Sequence, residues 1–161
     1  MKHTIITGLM VIGLTQGCSD INQLFPQSDR PSASIEEAVK ANDVEFVEQW
    51  LSAGGDPDYV DAQGQSLLYL ATGPKGGFDV MDMLLDAGAN PDVGLVSGNY
   101  TPLMNASSWV NLTAVERLLE AGADPTLENS SGQTALETVG NAGGAEQEVM
   151  RRLEVAIEEA R

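Results

Sequence analysis

Few residues of this chain could do chemistry. The 161-residue sequence has one Cys, Cys18, and one His, His3. A single thiol excludes an internal disulfide and a Cys-cluster metal site. The glycine-rich stretch at 73–77 has the wrong residue order for a phosphate-binding loop, because no Gly-Lys-Ser or Gly-Lys-Thr follows it. Thiol, imidazole and phosphate-loop chemistry are therefore not expected in the body of the chain.

Carboxylates are abundant, and three of them have part of the spacing of a calcium-binding loop. The three residues are Asp56, Asp58 and Asp61. If Asp56 is the first position, a calcium-binding loop also needs a ligand at the fifth position and a Glu at the twelfth, but Val60 and Leu67 occupy them. The three aspartates are interpreted as turn formers instead. Among 24 acids some carboxylates will lie together by chance, so pairs of acids do not indicate a hydrolase. We predict no catalytic residue, no metal and no cofactor.

The negative charge is confined to one part of the chain. The formal net charge is -16, and residues 34–150 hold 19 acids against Lys40, Lys75 and Arg117. An excess of this size repels nucleic acid and anionic membrane surfaces. The charge therefore favours a protein partner, and a basic one in particular.

The N-terminus has the pattern of a secretion signal. Lys2 precedes an apolar run at 5–14, which at about 1.5 Å per residue is too short to span a bilayer. The segment from Leu14 to Cys18 resembles the lipobox of bacterial lipoproteins. That resemblance implies cleavage after residue 17, acylation of Cys18, and, because Ser19 follows, an outer-membrane anchor facing the periplasm. Residues 18–33 are then the lipidated Cys and a flexible tether.

A repeating pattern fills the remainder. Gly followed by Gly or Ala, then Asp or Asn, then Pro occurs at 54–57, 88–91 and 122–125, and the first glycines are 34 residues apart. Before each motif, apolar residues at helical spacing predict an amphipathic helix that the Gly ends. A Ser or Thr that can cap a shorter helix follows each motif by about ten residues. These residues are Ser66, Thr101 and Thr134.

This period admits tetratricopeptide and ankyrin repeats. The Trp, Leu-Gly and Tyr pattern of the former is absent, whereas Thr101-Pro102-Leu103 and the Gly-Ala-Asp-Pro ending resemble ankyrin repeats of the bacterial type. The resemblance implies an all-α solenoid of about four repeats, at about 34–60, 61–94, 95–127 and 128–161, joined by β-hairpin-like loops. Tyr69 and Met104 replace a His that, in the family, forms structural hydrogen bonds to the neighbouring loop. We therefore do not expect the family's polar network between repeats, and we expect stability to depend more on apolar stacking between helices.

Ankyrin resemblance also implies where a partner binds, namely the loop tips and the first helix of each repeat. Aromatic side chains are favoured interface anchors, and acids would suit a basic partner. Trp109 has two open interpretations, an exposed anchor or a residue packed over the next repeat, whereas Trp50 is expected in the core. The candidate partner-binding residues are Tyr59, Asp61, Asp92, Tyr100, Trp109 and Asn129.

These patterns together predict a protein-binding adaptor or scaffold of the bacterial envelope, and not an enzyme. It would be a monomer apart from its partner and would touch the membrane only through its lipid. An alternative is an immunity protein that neutralises a periplasm-acting toxin, and a remote alternative is a hydrolytic enzyme. The sequence does not identify the partner.

Overall fold

A computed structural model describes residues 34–74, 77–141 and 143–161 of the chain. The predicted signal at 1–17, the predicted acylation of Cys18 and the predicted tether up to residue 33 therefore lie outside the described residues. Within them the chain forms seven α-helices and, apart from isolated β-bridges, no strand. The helices are α1 (Ile35–Lys40), α2 (Val44–Ser52), α3 (Leu67–Ala71), α4 (Phe78–Asp86), α5 (Pro102–Ser108), α6 (Leu112–Glu120) and α7 (Glu146–Glu159).

The helices form pairs that stack along the chain. A short helix packs on the longer helix that follows it in the pairs α1–α2, α3–α4 and α5–α6. The short helices α1, α3 and α5 contact one another in succession, α2 contacts α4, and α7 covers α6 at the C-terminal end. This arrangement confirms the predicted all-α solenoid.

Each short helix begins where the sequence places a capping side chain. Ser66 and Thr101 each accept a hydrogen bond from the backbone N–H three residues on, at 3.0 and 3.2 Å, and Pro102 takes the first helical position. Such caps satisfy one of the N–H groups that a helix start leaves without a partner. The longer helices α2 and α6 start in the same way at Asp43 and Asn111.

Glycine ends each longer helix. Gly54, Gly88 and Gly122 have φ values of 89°, 92° and 88°, a left-handed conformation that favours glycine. The N–H of the next residue then bonds back to the carbonyl five residues earlier, as Ala89 does to Leu84 at 3.0 Å. The chain thus leaves every longer helix with the same geometry, which keeps successive repeats in register.

The core runs through the stack between first and second helices. Trp50 is 8% exposed, which confirms its predicted place in the core. In α5 six of seven residues are buried, and only Ser108 is not. Fully buried large side chains from each repeat include Val47, Leu68, Leu84, Leu103, Leu118 and Leu153.

Polar side chains also link successive repeats, in addition to the apolar core. Asn105, one residue after Met104, donates from Nδ2 to the Tyr69 carbonyl at 3.0 Å and to Thr72 Oγ1 at 3.1 Å. The hydroxyl of Thr138 bonds in the same manner to the Met104 carbonyl, at 3.3 Å. A different set of polar side chains therefore links α5 to the repeat before it and to the turns after it, where the His expected from the family resemblance is missing.

The prediction of a short helix that starts at Thr134 is wrong, because residues 135–138 form turns. The Glu137 carboxylate accepts from the N–H and the hydroxyl of Thr134, but the chain then enters a segment rich in Gly. Gly140 donates to the Ser107 carbonyl, and a Cβ there would lie 2.1 Å from the Ser108 carbonyl oxygen. This close approach to α5 directs the chain away before a second turn forms.

Leu84→Ala and Leu118→Ala should each lower the free energy of unfolding by about 2–5 kcal/mol, because both side chains are fully buried between repeats. Urea unfolding of the full chain, followed by circular dichroism, measures the change. Leu127→Ala is the matched control at a leucine that is 37% exposed. Losses below about 1 kcal/mol at both buried sites would contradict the packing described.

Candidate protein-binding groove

Three connecting loops lie side by side and bond to one another. We call the loops at 56–66, 90–101 and 124–134 the loop edge. The N–H of Val96 donates to the Gly64 carbonyl, and that of Ser130 to the Gly98 carbonyl, both at 2.8 Å. Backbone hydrogen bonds thus fix each loop to its neighbour, although the loops form only isolated β-bridges and no strand.

Aspartates strengthen this link at the base of the loops. Asp58 Oδ1 accepts from the N–H of Asn90 at 2.7 Å, and Asp92 Oδ1 accepts from the N–H of Asp124 at 2.9 Å. Burial raises the pKa of Asp92, the hydrogen bond from Asp124 opposes this change, and the nearby charge of Asp124 adds to it. Asp92, a predicted contact for a basic partner, therefore also has a structural role between repeats.

Two other predicted contacts, Asp61 and Asn129, lie inside their turns. They are 7% and 9% exposed. Asp61 Oδ1 accepts from two backbone N–H groups of its own loop at 2.9 and 2.8 Å, and Asn129 Oδ1 does so at 2.8 and 3.1 Å. Asp and Asn commonly form such turns. These side chains offer little surface to a partner, because they hold the loops in shape.

The two tyrosines differ in exposure. Tyr100 lies near the end of the second loop, where it pairs with Leu95, and its half-buried ring lies edge-on to that of Tyr69, with 6.4 Å between the ring centroids. Tyr59 is 37% exposed and its hydroxyl donates to Glu36 Oε1 at 3.1 Å. Desolvation and this hydrogen bond raise the pKa of Tyr59. Tyr59 remains available at the loop edge.

Trp109 is 56% exposed, which favours the anchor over the packed alternative. It lies at the C-terminal cap of α5, and Val110 after it has a φ of 54°. A positive φ is uncommon for a β-branched residue. Asn42 takes the same conformation in the first repeat, where Asn tolerates it. The strained turn holds the indole at the surface of the first helices.

Trp109 forms one wall of a groove of about 320 Å³ across the first helices of three repeats. The sequence interpretation missed Tyr69, because its departure from the family's His was read as a structural loss. It also missed Lys40, whose position on α1 gave no local sign of a groove. The lining residues are Lys40, Gln65, Tyr69, Leu70, Gly73, Pro74, Asn105 and Trp109.

The loop edge and the second helices differ in their ion pairs. The loop edge holds Asp56, Asp58, Asp61, Asp92, Asp124 and Glu128 and no Lys, Arg or His. On the second helices Arg117 Nη1 bonds Asp82 at 2.6 Å, and Arg152 of α7 lies 3.5 Å from Glu116. Bases thus neutralise acids between α4, α6 and α7, whereas no ion pair among the described residues involves the loop edge.

The described residues contain neither a metal-ligand cluster nor a membrane-spanning helix. In the ranges 34–74, 77–141 and 143–161, no group of three or more His, Cys, Asp or Glu side chains could hold a metal ion. In the same ranges, no helix has the length and apolar character needed to cross a bilayer.

Comparison with known proteins agrees with the fold. The family model described as ankyrin repeats, in three copies, matches residues 35–137. This match covers more than half of the 161 residues, and the chain belongs to the ankyrin-repeat family. A search of curated proteins gave no significant match. Ankyrin repeats are modules of protein–protein interaction and are generally not enzymes, so the groove and loop edge are the surfaces to consider for a partner.

Asp92→Asn should stabilise the full chain at pH 7 and keep the acceptor for the Asp124 N–H. Because the folded-state pKa of Asp92 is raised above the unfolded value of about 3.9, ionisation costs stability at pH values above the raised pKa. The gain should fade as pH falls through that pKa. Thermal unfolding from pH 3 to 7 measures this gain, and Asp86→Asn, at an exposed position of α4, is the control for the lost charge. An equal effect in both variants, or a gain at low pH, would contradict the assignment.

Proposed function

We propose that this protein is an adaptor, anchored in a bacterial envelope by a lipid on Cys18, that holds a protein partner on its groove and loop edge. The observation that carries the proposal is the exposed Trp109 in a groove shared by three repeats. A tryptophan that is exposed in the free protein and set in a concavity has the character of an interface anchor. A surface shared by several repeats lets one partner contact all of them.

Charge supports a basic partner. The acids of the loop edge have no ion pair among the described residues, so their field extends into solvent. Such a field speeds the encounter with a basic partner and discourages acidic ones. It also makes nucleic acid an unsuitable ligand.

The anchor is supported by the N-terminal sequence. The lipobox resemblance at Leu14 to Cys18 implies several acyl chains, and each buried CH₂ contributes about 0.8 kcal/mol to membrane binding. The tether of 19–33 has 15 residues and would give the domain a root-mean-square reach of about 20 Å. An adaptor with that reach would keep its partner close to the membrane surface.

The acidic loop edge also favours a second candidate function, an immunity protein that neutralises a basic periplasmic toxin. Fast capture through charge would serve this role as well as it serves an adaptor. The two functions differ in consequence, since an immunity protein blocks an activity that kills the cell. A secreted toxin encoded beside this gene, with toxicity that this protein suppresses, would favour the second candidate.

A photoreactive phenylalanine at position 109 should crosslink a partner in living cells, because Trp109 lies in the proposed interface. The same residue at position 48, exposed on α2, is the matched control and should crosslink much less. Cys18→Ala should abolish labelling by a palmitate analogue and remove both the protein and its crosslinked partner from the membrane fraction. Equal crosslinking from both positions, or labelling that persists without Cys18, would contradict the proposal.

A further inference from the structure

The groove has a charge pattern unlike that of the protein around it. The chain has a net charge of -16, yet among the described residues no Asp or Glu lines the groove, and Lys40 is the one charged residue there. Tyr69, Leu70, Pro74 and Trp109 give it apolar surface. A concavity of about 320 Å³ is at the lower end of the range of ligand pockets. It is sized for one large side chain and not for a folded element.

We infer that the groove takes one large apolar side chain from a partner segment that carries Lys or Arg beside that side chain. The acidic loop edge attracts the cations while the groove receives the apolar group. The inference rests on the proposed function and adds the chemistry by which a partner is selected.

Hydrogen bonding in the groove favours an apolar occupant. Asn105 is the buried polar residue of the groove lining, and its amide nitrogen already donates to the Tyr69 carbonyl and to Thr72 Oγ1. Both amide hydrogens are thus used inside the protein. An acceptor that enters the groove would lose water without gaining this donor, whereas the apolar surface of Leu70, Pro74 and Trp109 favours an apolar side chain.

The loop edge favours cations next to the apolar group. Glu128 is exposed, and no ion pair among the described residues uses it or another loop-edge acid. Bases of α6 and α7 bond acids of the second helices instead. Gln65 belongs both to the loop edge and to the groove lining, so a partner segment seated in the groove extends along the loop edge, where its Lys or Arg meets carboxylates that have no ion pair among the described residues.

A substitution of Lys40 distinguishes an apolar occupant beside cations from a carboxylate occupant. If the groove took a carboxylate, Lys40 would attract it, and Lys40→Gln would weaken binding. If the occupant is an apolar group beside cations, Lys40 repels the cations, and Lys40→Gln strengthens binding by about twofold or more through lost repulsion. The sign of this effect separates the two chemistries.

The probe is the amidated peptide Ser-Lys-Phe-Lys-Lys-Ser, titrated into the full chain and followed by calorimetry and by tryptophan emission. Trp109 reports on the groove, since Trp50, the other tryptophan of the chain, is buried. Three matched peptides replace Phe by Gly, the Lys residues by Glu, or the Lys residues by Gly. The first peptide should bind at least about tenfold more tightly than each of the others and shift the emission to the blue.

Variants locate the binding. Trp109→Ala should remove the tenfold preference for Phe over Gly, and Trp109→Phe should retain most of it by calorimetry, because an aromatic ring is kept. Phe78→Ala, which removes another exposed ring, at 40% exposure on α4, should have no effect. Glu128→Lys should weaken binding, whereas Glu48→Lys on α2, with the same change of charge, should weaken it less.

Several results would overturn the inference. These are equal binding of the Phe and Gly peptides, tighter binding of the Glu peptide, weaker binding after Lys40→Gln, or no binding of any peptide at millimolar concentration. The proposed function can survive each of them, because crosslinking at position 109 identifies a partner whatever its chemistry. Failure of that crosslinking, with the peptide preference intact, would instead contradict the function in the cell.

Discussion

Stacking of each repeat on the next is the interaction on which the rest of this protein depends. The first helices are too short to be stable alone, since α3 has five residues and α5 has seven. They persist because their buried residues pack between second helices and neighbouring repeats, and because Asn105 and Thr138 bond across the repeat boundaries. Every feature of the groove is a consequence of that stack, including the position of Trp109 at the end of α5.

The same stacking explains how a strongly acidic chain keeps acids close together. Asp58 and Asp92 each accept a hydrogen bond from a backbone N–H of the next repeat. This hydrogen bond offsets part of the free-energy cost of burying the carboxylate. The raised pKa of Asp92 shows that the compensation is incomplete. Acids at the loop edge thus have two effects, since they hold neighbouring loops in register and leave a negative field for a partner.

The sequence predicted those parts of the fold that depend on local chemistry. Caps at Ser66 and Thr101, glycine stops, the core position of Trp50 and the family itself all follow from residues close together in the chain. The polar link through Asn105 was not predictable in this way, because its partners lie 33 and 36 residues away and its own spacing fits a core position. The turns after Thr134 were missed because the nearby Gly140 meets α5, a contact that no local pattern encodes.

The candidate partner contacts also depend on the stacked structure, which the local sequence does not show. The sequence left Trp109 open between an exposed and a packed position, and the structure shows it exposed at the end of α5, beside the turn at Val110. Asp61 and Asn129 look like available polar residues in the sequence, yet their turns enclose them. Lys40 and Tyr69 join the groove only because α1, α3 and α5 stack. The N-terminal signal and the acylation of Cys18 stay predictions.

The central claim is that stacking preforms the loop edge and groove before any partner arrives. Amide hydrogen exchange of the free full chain tests it most directly. The N–H groups of Asn90 and Asp124, which bond across repeats, should exchange as slowly as those of the buried helix α5, while the amide of exposed Ala62 exchanges rapidly. Exchange of Asn90 and Asp124 as fast as that of Ala62 would show that the loops are not fixed to one another, and would contradict the account.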